Sequence, residues 1–399
     1  MAFILLFIIY LAFISLGLPD ALLGAAWPLM YKEFAVPVSY AGIIAMIISA
    51  CTIISSFQSD RLTRKFGTGT VTTISVFLTA VALFGFGFSH NYYLLTLFAL
   101  PYGLGAGSVD ASLNNYVALH YRSSHMSWLH CMWGVGASLG PYILGFALHK
   151  NLPWNDGYLI VGAIQTLLCL CLLLTLPLWK KQASRQNAAE QPSTTAAACS
   201  RTFGFKDLWR LPGAKAVLLT FFCYSALEHS AALWGSSYLV LHCNLDAALA
   251  AQYANRFFLG ITCGRLISGF IAFKLQDASL IRWGQGLIAV ALVILATTNN
   301  GRIALIGLTI LGLGCAPIYP SVIHSTPANF GADKSQALIG IQMGCAYIGS
   351  TLMPPLFGLI ANYCTSKVFP YFLAFFLMIM VLAHELALQQ VKHKLSVKH

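Results

Sequence analysis

Polar residues in this chain are confined to short gaps between long apolar runs. A helix needs about 20 predominantly apolar residues to cross a bilayer. Runs of that length predict roughly twelve spans: 3–31, 38–58, 69–89, 92–119, 127–148, 157–178, 213–241, 247–273, 282–298, 301–329, 335–361 and 368–390. The runs are continuous, whereas a membrane barrel needs alternating segments of about ten residues. The expected fold class is an all-α membrane protein, a bundle of twelve transmembrane helices.

The one long polar stretch, 179–212, holds Lys180, Lys181, Arg185, a Ser/Thr/Ala-rich patch and Arg210. It divides the chain into an N-terminal six-helix bundle over 1–178 and a C-terminal one over 213–399. Its composition predicts a flexible linker with a short interfacial helix near Phe203–Leu211. With the N-terminus inside, the inner gaps and tail carry seventeen Lys and Arg and the outer gaps four, Lys32, Lys150, Arg302 and Lys367. That bias predicts that both termini and the linker are cytoplasmic.

The halves resemble each other. Gly103-Leu104-Gly105-Ala106 matches Gly312-Leu313-Gly314-Cys315 at an offset of 209, and Gly134 matches Gly344 at 210. Asp60-Arg61 and Gly264-Arg265 lie 204 apart. These offsets predict a parallel duplication of a six-helix unit.

Composition narrows the class. Apolar residues make up 58% and charged residues 9%, against about 25% charged in a soluble protein. Mean hydropathy is +0.74. A surface that poor in charge belongs in a lipid bilayer, and the chain is expected to be a multi-pass plasma-membrane protein (inner membrane in a bacterium). The net charge of +11 does not predict a nucleic-acid partner, because the basic residues sit in the gaps between spans. No P-loop lysine motif suggests coupling to ATP. The eleven cysteines lack paired CxxC spacing and read as small packing residues, so neither a disulfide nor a metal site is expected. The apolar start at Met1, without a basic leading region, does not predict a cleaved signal peptide.

Several motifs carry a resemblance. Asp60-Arg61-Leu62-Thr63-Arg64-Lys65-Phe66-Gly67 follows span 2, without the glycine that would lead such a segment. Gly17-Leu18-Pro19-Asp20 and Trp27-Pro28 lie in span 1, and Gly103-Leu104-Gly105-Ala106-Gly107 precedes Asp110 and Asn114 in span 4. Leu129-His130, Trp133-Gly134-Val135-Gly136-Ala137 and Gly140-Pro141 lie in span 5, and Ala316-Pro317-Ile318-Tyr319-Pro320 and Thr326-Pro327 in span 10. In these residues the chain resembles the major facilitator superfamily, and within it the fucose/proton symporter group and its sodium-glucose-transporter-like relatives. The resemblance implies two six-helix lobes that rock about a central site. It also implies that acidic residues on spans 1 and 4 handle the proton.

Ionisable residues deep in a span cost about 2.5–3.5 kcal/mol on insertion scales, so they usually face water, a partner or a ligand. Asp110 and Asp20 are the expected proton-coupling residues, in that order; the alternatives are an interhelical clamp for Asp110 and a cap on a kinked helix for Asp20. The candidate substrate-binding set is Trp27, Asn114, His130, Trp133, Tyr224, Glu228, Trp234, Arg256, Tyr319 and Gln342. Asn114 follows Asp110 by one turn of span 4, a carboxylate and an amide on one stripe suited to a proton and a polyol hydroxyl. Trp133 follows His130 similarly on span 5, an imidazole suited to proton relay and an aromatic face suited to a sugar ring. Glu228 and Arg256 are expected either to form a buried ion pair or to contact substrate. Asp60, Arg61, Arg64 and Arg265 are expected at the cytoplasmic gate.

The function expected is secondary active transport: proton-coupled symport of a sugar or polyol by alternating access, without a cofactor and as a monomer. The small-molecule cargo and the lipid bilayer are the expected partners. A proton-coupled drug or metabolite antiporter and a sodium-coupled sugar carrier are the alternatives, since the same carboxylates suit each. An enzyme is not expected, because no nucleophile–base spacing or metal motif stands out.

Overall fold

A computed structural model describes residues 2–37, 40–189, 205–243, 247–363 and 366–396. Among them the regular structure is helical, with no strand. The helices are α1 (Ala2–Gly17), α2 (Leu22–Glu33), α3 (Tyr40–Phe66), α4 (Thr68–Gly87), α5 (Tyr92–His120), α6 (Ser123–His149), α7 (Trp154–Ala189) and α8 (Phe205–Trp209). Then follow α9 (Ala214–Cys243), α10 (Ala247–Ile271), α11 (Asp277–Thr297), α12 (Gly301–Cys315), α13 (Ile318–His324), α14 (Thr326–Phe330), α15 (Ala332–Tyr363) and α16 (Phe369–Ser396). Eleven stretches among the described residues are long and apolar enough to cross a membrane. The remaining expected run, 247–273, forms α10, which carries Arg256 and Arg265.

Two compact units emerge. One comprises Met1–Tyr116 and Leu129–Phe203, the other Val117–Trp128 and Gly204–His399. In the first, Trp27, Phe86, Tyr92, Tyr102, Trp154 and Tyr158 share one buried core, with Trp154 and Tyr158 edge-on at 5.8 Å. The second is centred on Phe221, Tyr224, Tyr238, Phe257 and Phe369, all buried, and the Tyr238 hydroxyl donates to the Leu295 carbonyl at 2.5 Å.

Lipid tails are as apolar as leucine, so membrane helices associate through close packing of small residues and polar contacts rather than through hydrophobic drive. Glycines supply that packing at repeated positions. A Cβ on Gly103 would meet the Ile48 carbonyl oxygen at 2.3 Å, and one on Gly312 the Phe257 oxygen at 2.2 Å. Gly105 abuts the Ser75 carbonyl and Gly314 that of Gly284. Every residue in the second set lies 209 positions after its counterpart in the first. The duplicated unit therefore repeats its backbone contacts between spans 2, 3 and 4 in spans 8, 9 and 10.

That register corrects one sequence alignment. An offset of 209 sets Arg265 opposite Ser56, and Gly269 opposite Asp60, so the 204-residue match was slipped by more than a helical turn. Arg265 consequently lies deeper in its helix than an end-of-span basic residue: it is 4% exposed.

Two apolar runs are broken. Span 1 turns at Leu18–Ala21, between α1 and α2. Pro19 has no N–H to give the Ser15 carbonyl four residues back. Gln165 of α7 supplies the missing donor, its Nε2 bonding the Ser15 carbonyl oxygen at 2.6 Å while the Ser15 hydroxyl donates to Gln165 Oε1. Span 10 is divided into α12, α13 and α14 around Pro317 and Pro327. The expected flexible linker is shorter than its composition implied, because α7 continues through Ala189. Lys, Gln, Ala and Arg, which dominate 180–189, are good helix formers that extend the preceding turn.

Candidate functional site

The break in span 1 presents Asp20. The residue is exposed, and both carboxylate oxygens are held from other helices: the Tyr102 hydroxyl of α5 donates to Oδ1 at 2.9 Å and the Trp133 indole N–H of α6 to Oδ2 at 2.8 Å. Both donors are neutral, so they orient the group without fixing its charge through a counter-ion. Behind Tyr102 lies a small cavity lined in part by Ser15, Pro19, Thr79 and Gln165. Gln165 supports the break from which Asp20 projects; the sequence reading missed it, and the Pro19 ring, with its orphaned carbonyl, was the signal.

A second polar chain runs through the same unit. Asn114 Nδ2 donates to Asp110 Oδ1 at 2.8 Å and to the Asp110 carbonyl at 2.9 Å. Its Oδ1 lies 3.0 Å from His130 Nε2. The Asp110 backbone carbonyl only accepts, so Asn114 presents its NH₂ to Asp110 and its oxygen to His130, which assigns the His130 ring proton to Nε2. The His130 ring stands edge-on to Phe13 at 5.5 Å. Asp110, Asn114 and His130 are all buried. The structure thus brings together five of the expected site residues, Asp20, Trp133, Asp110, Asn114 and His130, in two clusters of one unit.

Trp27 lies in the aromatic core at 5% exposure, edge-on to Tyr92 at 6.5 Å. On a continuous helix Trp27 would lie two turns beyond Asp20 on the same face, but span 1 turns at Leu18–Ala21 before α2 begins.

In the second unit Glu228 pairs with Arg265, not with Arg256 as expected: Oε1 lies 3.5 Å from Arg265 Nη2, with side chains 11% and 5% exposed. Arg256 is exposed, about two and a half helical turns before Arg265. Arg265, expected at a cytoplasmic helix end, is instead buried and engaged with a carboxylate. Tyr224 is buried and lies 5.9 Å, ring to ring, from Tyr319, whose hydroxyl donates to Met343 Sδ at 2.9 Å. Gln342 exchanges hydrogen bonds with Thr326 at 3.0 and 3.2 Å. Trp234 donates to the Pro354 carbonyl at 2.8 Å and covers Gly358, which ties α9 to α15.

Of the expected gate set, Arg64 and Asp60 pair at 2.8 Å one turn apart on α3, and Arg61 is exposed. Among the described residues no group of three or more His, Cys, Asp or Glu is arranged to hold a metal ion.

Apolar helices in two units, with carboxylates held by polar partners inside the helical layers, define an all-α, multi-pass membrane transporter rather than an enzyme. The chain belongs to the major facilitator superfamily, whose sequence model matches residues 5–301. It is 20% identical over 313 residues to the glucose/mannose transporter GlcP of Bacillus subtilis, covering 78% of this chain and 77% of that protein. A putative glucose/galactose transporter of Helicobacter pylori is 29% identical over 123 residues, 31% of this chain and 30% of that one. Quinolone resistance protein NorA of Staphylococcus aureus is 27% identical over 148 residues, 36% of this chain and 37% of its own. In fold, the chain superposes on FucP in its outward conformation with a TM-score of 0.76 at 17% identity, covering 95% of this chain and 98% of that one. The proton:xylose symporter XylE gives 0.78 at 13% identity, with 97% and 95% covered.

Proposed function

We propose that the protein is a proton-coupled symporter of a monosaccharide or related polyol, working by alternating access in the plasma membrane with both termini cytoplasmic. The carrying observation is the Asp20 carboxylate, exposed at a broken span and oriented by Tyr102 and Trp133. A group that exchanges protons has to be reached from outside its packing, and Asp20 is an exposed residue where Asp110 is buried. The order expected from the sequence is therefore reversed: Asp20 takes the coupling proton, and Asp110 with Asn114 and His130 forms an internal polar chain. The Trp133 face beside Asp20 suits the C–H face of a sugar ring, while a carboxylate accepts from its hydroxyls. The similarity to GlcP over most of both chains favours a hexose. The excess of Lys and Arg in alternate gaps supports the orientation.

The partial similarity to NorA keeps one second reading, a proton-coupled antiporter of hydrophobic cations. Counterflow in proteoliposomes separates the two. Labelled glucose, mannose or galactose exchanges if the first reading holds, and a labelled quinolone or hydrophobic cation does so under the second. Uphill sugar accumulation driven by a pH gradient, and not by a sodium gradient, identifies the coupling ion. Accumulation by the sodium gradient alone overturns proton coupling.

A further inference from the structure

His324 closes α13, and both of its ring nitrogens face acceptors. Nδ1 lies 2.6 Å from Asp277 Oδ2, and Nε2 lies 3.0 Å from the Tyr121 carbonyl oxygen. A neutral imidazole carries one N–H and so satisfies one acceptor only. The second contact requires one more proton in the His324–Asp277 pair, carried either as an imidazolium or as a carboxylic acid donating to Nδ1. Asp277 accepts in addition from the Ser123 hydroxyl through Oδ1. Tyr121 and Ser123 belong to Val117–Trp128, a connector made of the last turn of α5, the Tyr121–Arg122 link and the first turns of α6, which groups with the second unit.

We propose that this shared proton is a latch: His324 and Asp277 hold the α5–α6 connector while the proton is present and release it when the proton leaves. The latch is independent of the cargo and coupling proposed above. Its mechanical relevance comes from position. Tyr121 follows Asn114 by seven residues and precedes His130 by nine, so the connector joins the two helices that carry the buried polar chain.

From the connector come exposed His120, Tyr121, exposed Arg122 and half-buried His125, and exposed Lys274 precedes Asp277 by three residues; burial pushes the Tyr121 phenol above its ordinary value, away from the histidine range. Helix α11 contributes Asp277, while its Arg282 is engaged by Glu385 of α16 at 2.7 Å. Lys215 of α9 lies over Trp209, and Asp333 and Lys334 of α15 pair with each other at 2.9 Å. Helix α14 has no titratable side chain.

The test is hydrogen–deuterium exchange of the whole purified protein in lipid nanodiscs, without substrate, from about pH 5.5 to about pH 9 across the ordinary histidine range. After correction for intrinsic exchange, protection in 117–128 is expected to fall roughly tenfold as pH rises, the scale of one lost charge-assisted hydrogen bond. Peptides from α4 serve as the internal reference and stay constant. His324→Gln and Asp277→Asn each give low protection that no longer depends on pH. A flat wild-type profile overturns the proposal, and so does a wild-type pH dependence that survives in either variant. Because no cargo is present, failure here leaves the transport reading standing, and loss of sugar counterflow leaves the latch standing.

Discussion

Trp133 and Asp20, 113 positions apart in sequence, are joined by a 2.8 Å hydrogen bond in which an indole N–H meets a carboxylate at the turn of span 1. Without that bond and its Tyr102 counterpart, Asp20 has no fixed orientation.

Asp20→Asn removes the carboxyl group but keeps the side-chain shape. It is expected to abolish accumulation of sugar under a pH gradient while retaining counterflow exchange, measured in the same proteoliposomes. Trp133→Phe keeps an aromatic face and loses the donor. An N–H donor favours the ionised carboxylate, so the pH midpoint of uptake in Trp133→Phe moves upward by up to about one unit, the equivalent of about 1.4 kcal/mol. An unchanged midpoint would remove Asp20 from the coupling role.

Breaking a buried ion pair strands its partner at a cost of about 3–5 kcal/mol. Glu228→Gln and Arg265→Met are each expected to lower thermal stability markedly, and the double variant to recover a substantial part of the loss. Melting of the four proteins in detergent completes a double-mutant cycle; additivity of the single losses contradicts the pairing.

Asn114→Asp places a second carboxylate against Asp110, where the amide now sits at 2.8 Å. Two like charges at that distance are not both held ionised. The variant therefore has to bind a proton to fold: its stability deficit is smallest at low pH and widens as pH rises, read from melting temperature at several pH values.

Gly103→Ala and Gly312→Ala push a methyl into carbonyl oxygens on neighbouring helices, and overpacking of this kind costs about 1–3 kcal/mol. Both are expected to destabilise by similar amounts, because their contacts are repeats of one another. Gly24→Ala, with nothing within 4 Å of its added Cβ, is the control and is neutral or slightly stabilising.

Most of the architecture was legible because the bilayer imposes it. A length of apolar chain with no polar partner outside must hydrogen-bond to itself, and so the runs become helices. The glycine motifs announced the duplication, though only their contacts fixed its register at 209 and placed Arg265 beside Glu228 rather than at a helix end. Arg256 was paired with Glu228 for the same reason: distance along a helix specifies which face a residue occupies, but not what the neighbouring helix offers it.

The sequence alone determined the helical membrane fold, the break at Pro19 and the set of side chains too polar to face lipid. Partner choice belonged to tertiary structure. Tyr102, Trp133 and Gln165 reach span 1 from three other helices, and His324 reaches the connector from 203 positions away. Hydrogen bonds act over about 3 Å, and no periodicity along one helix encodes which atoms of another come within that range.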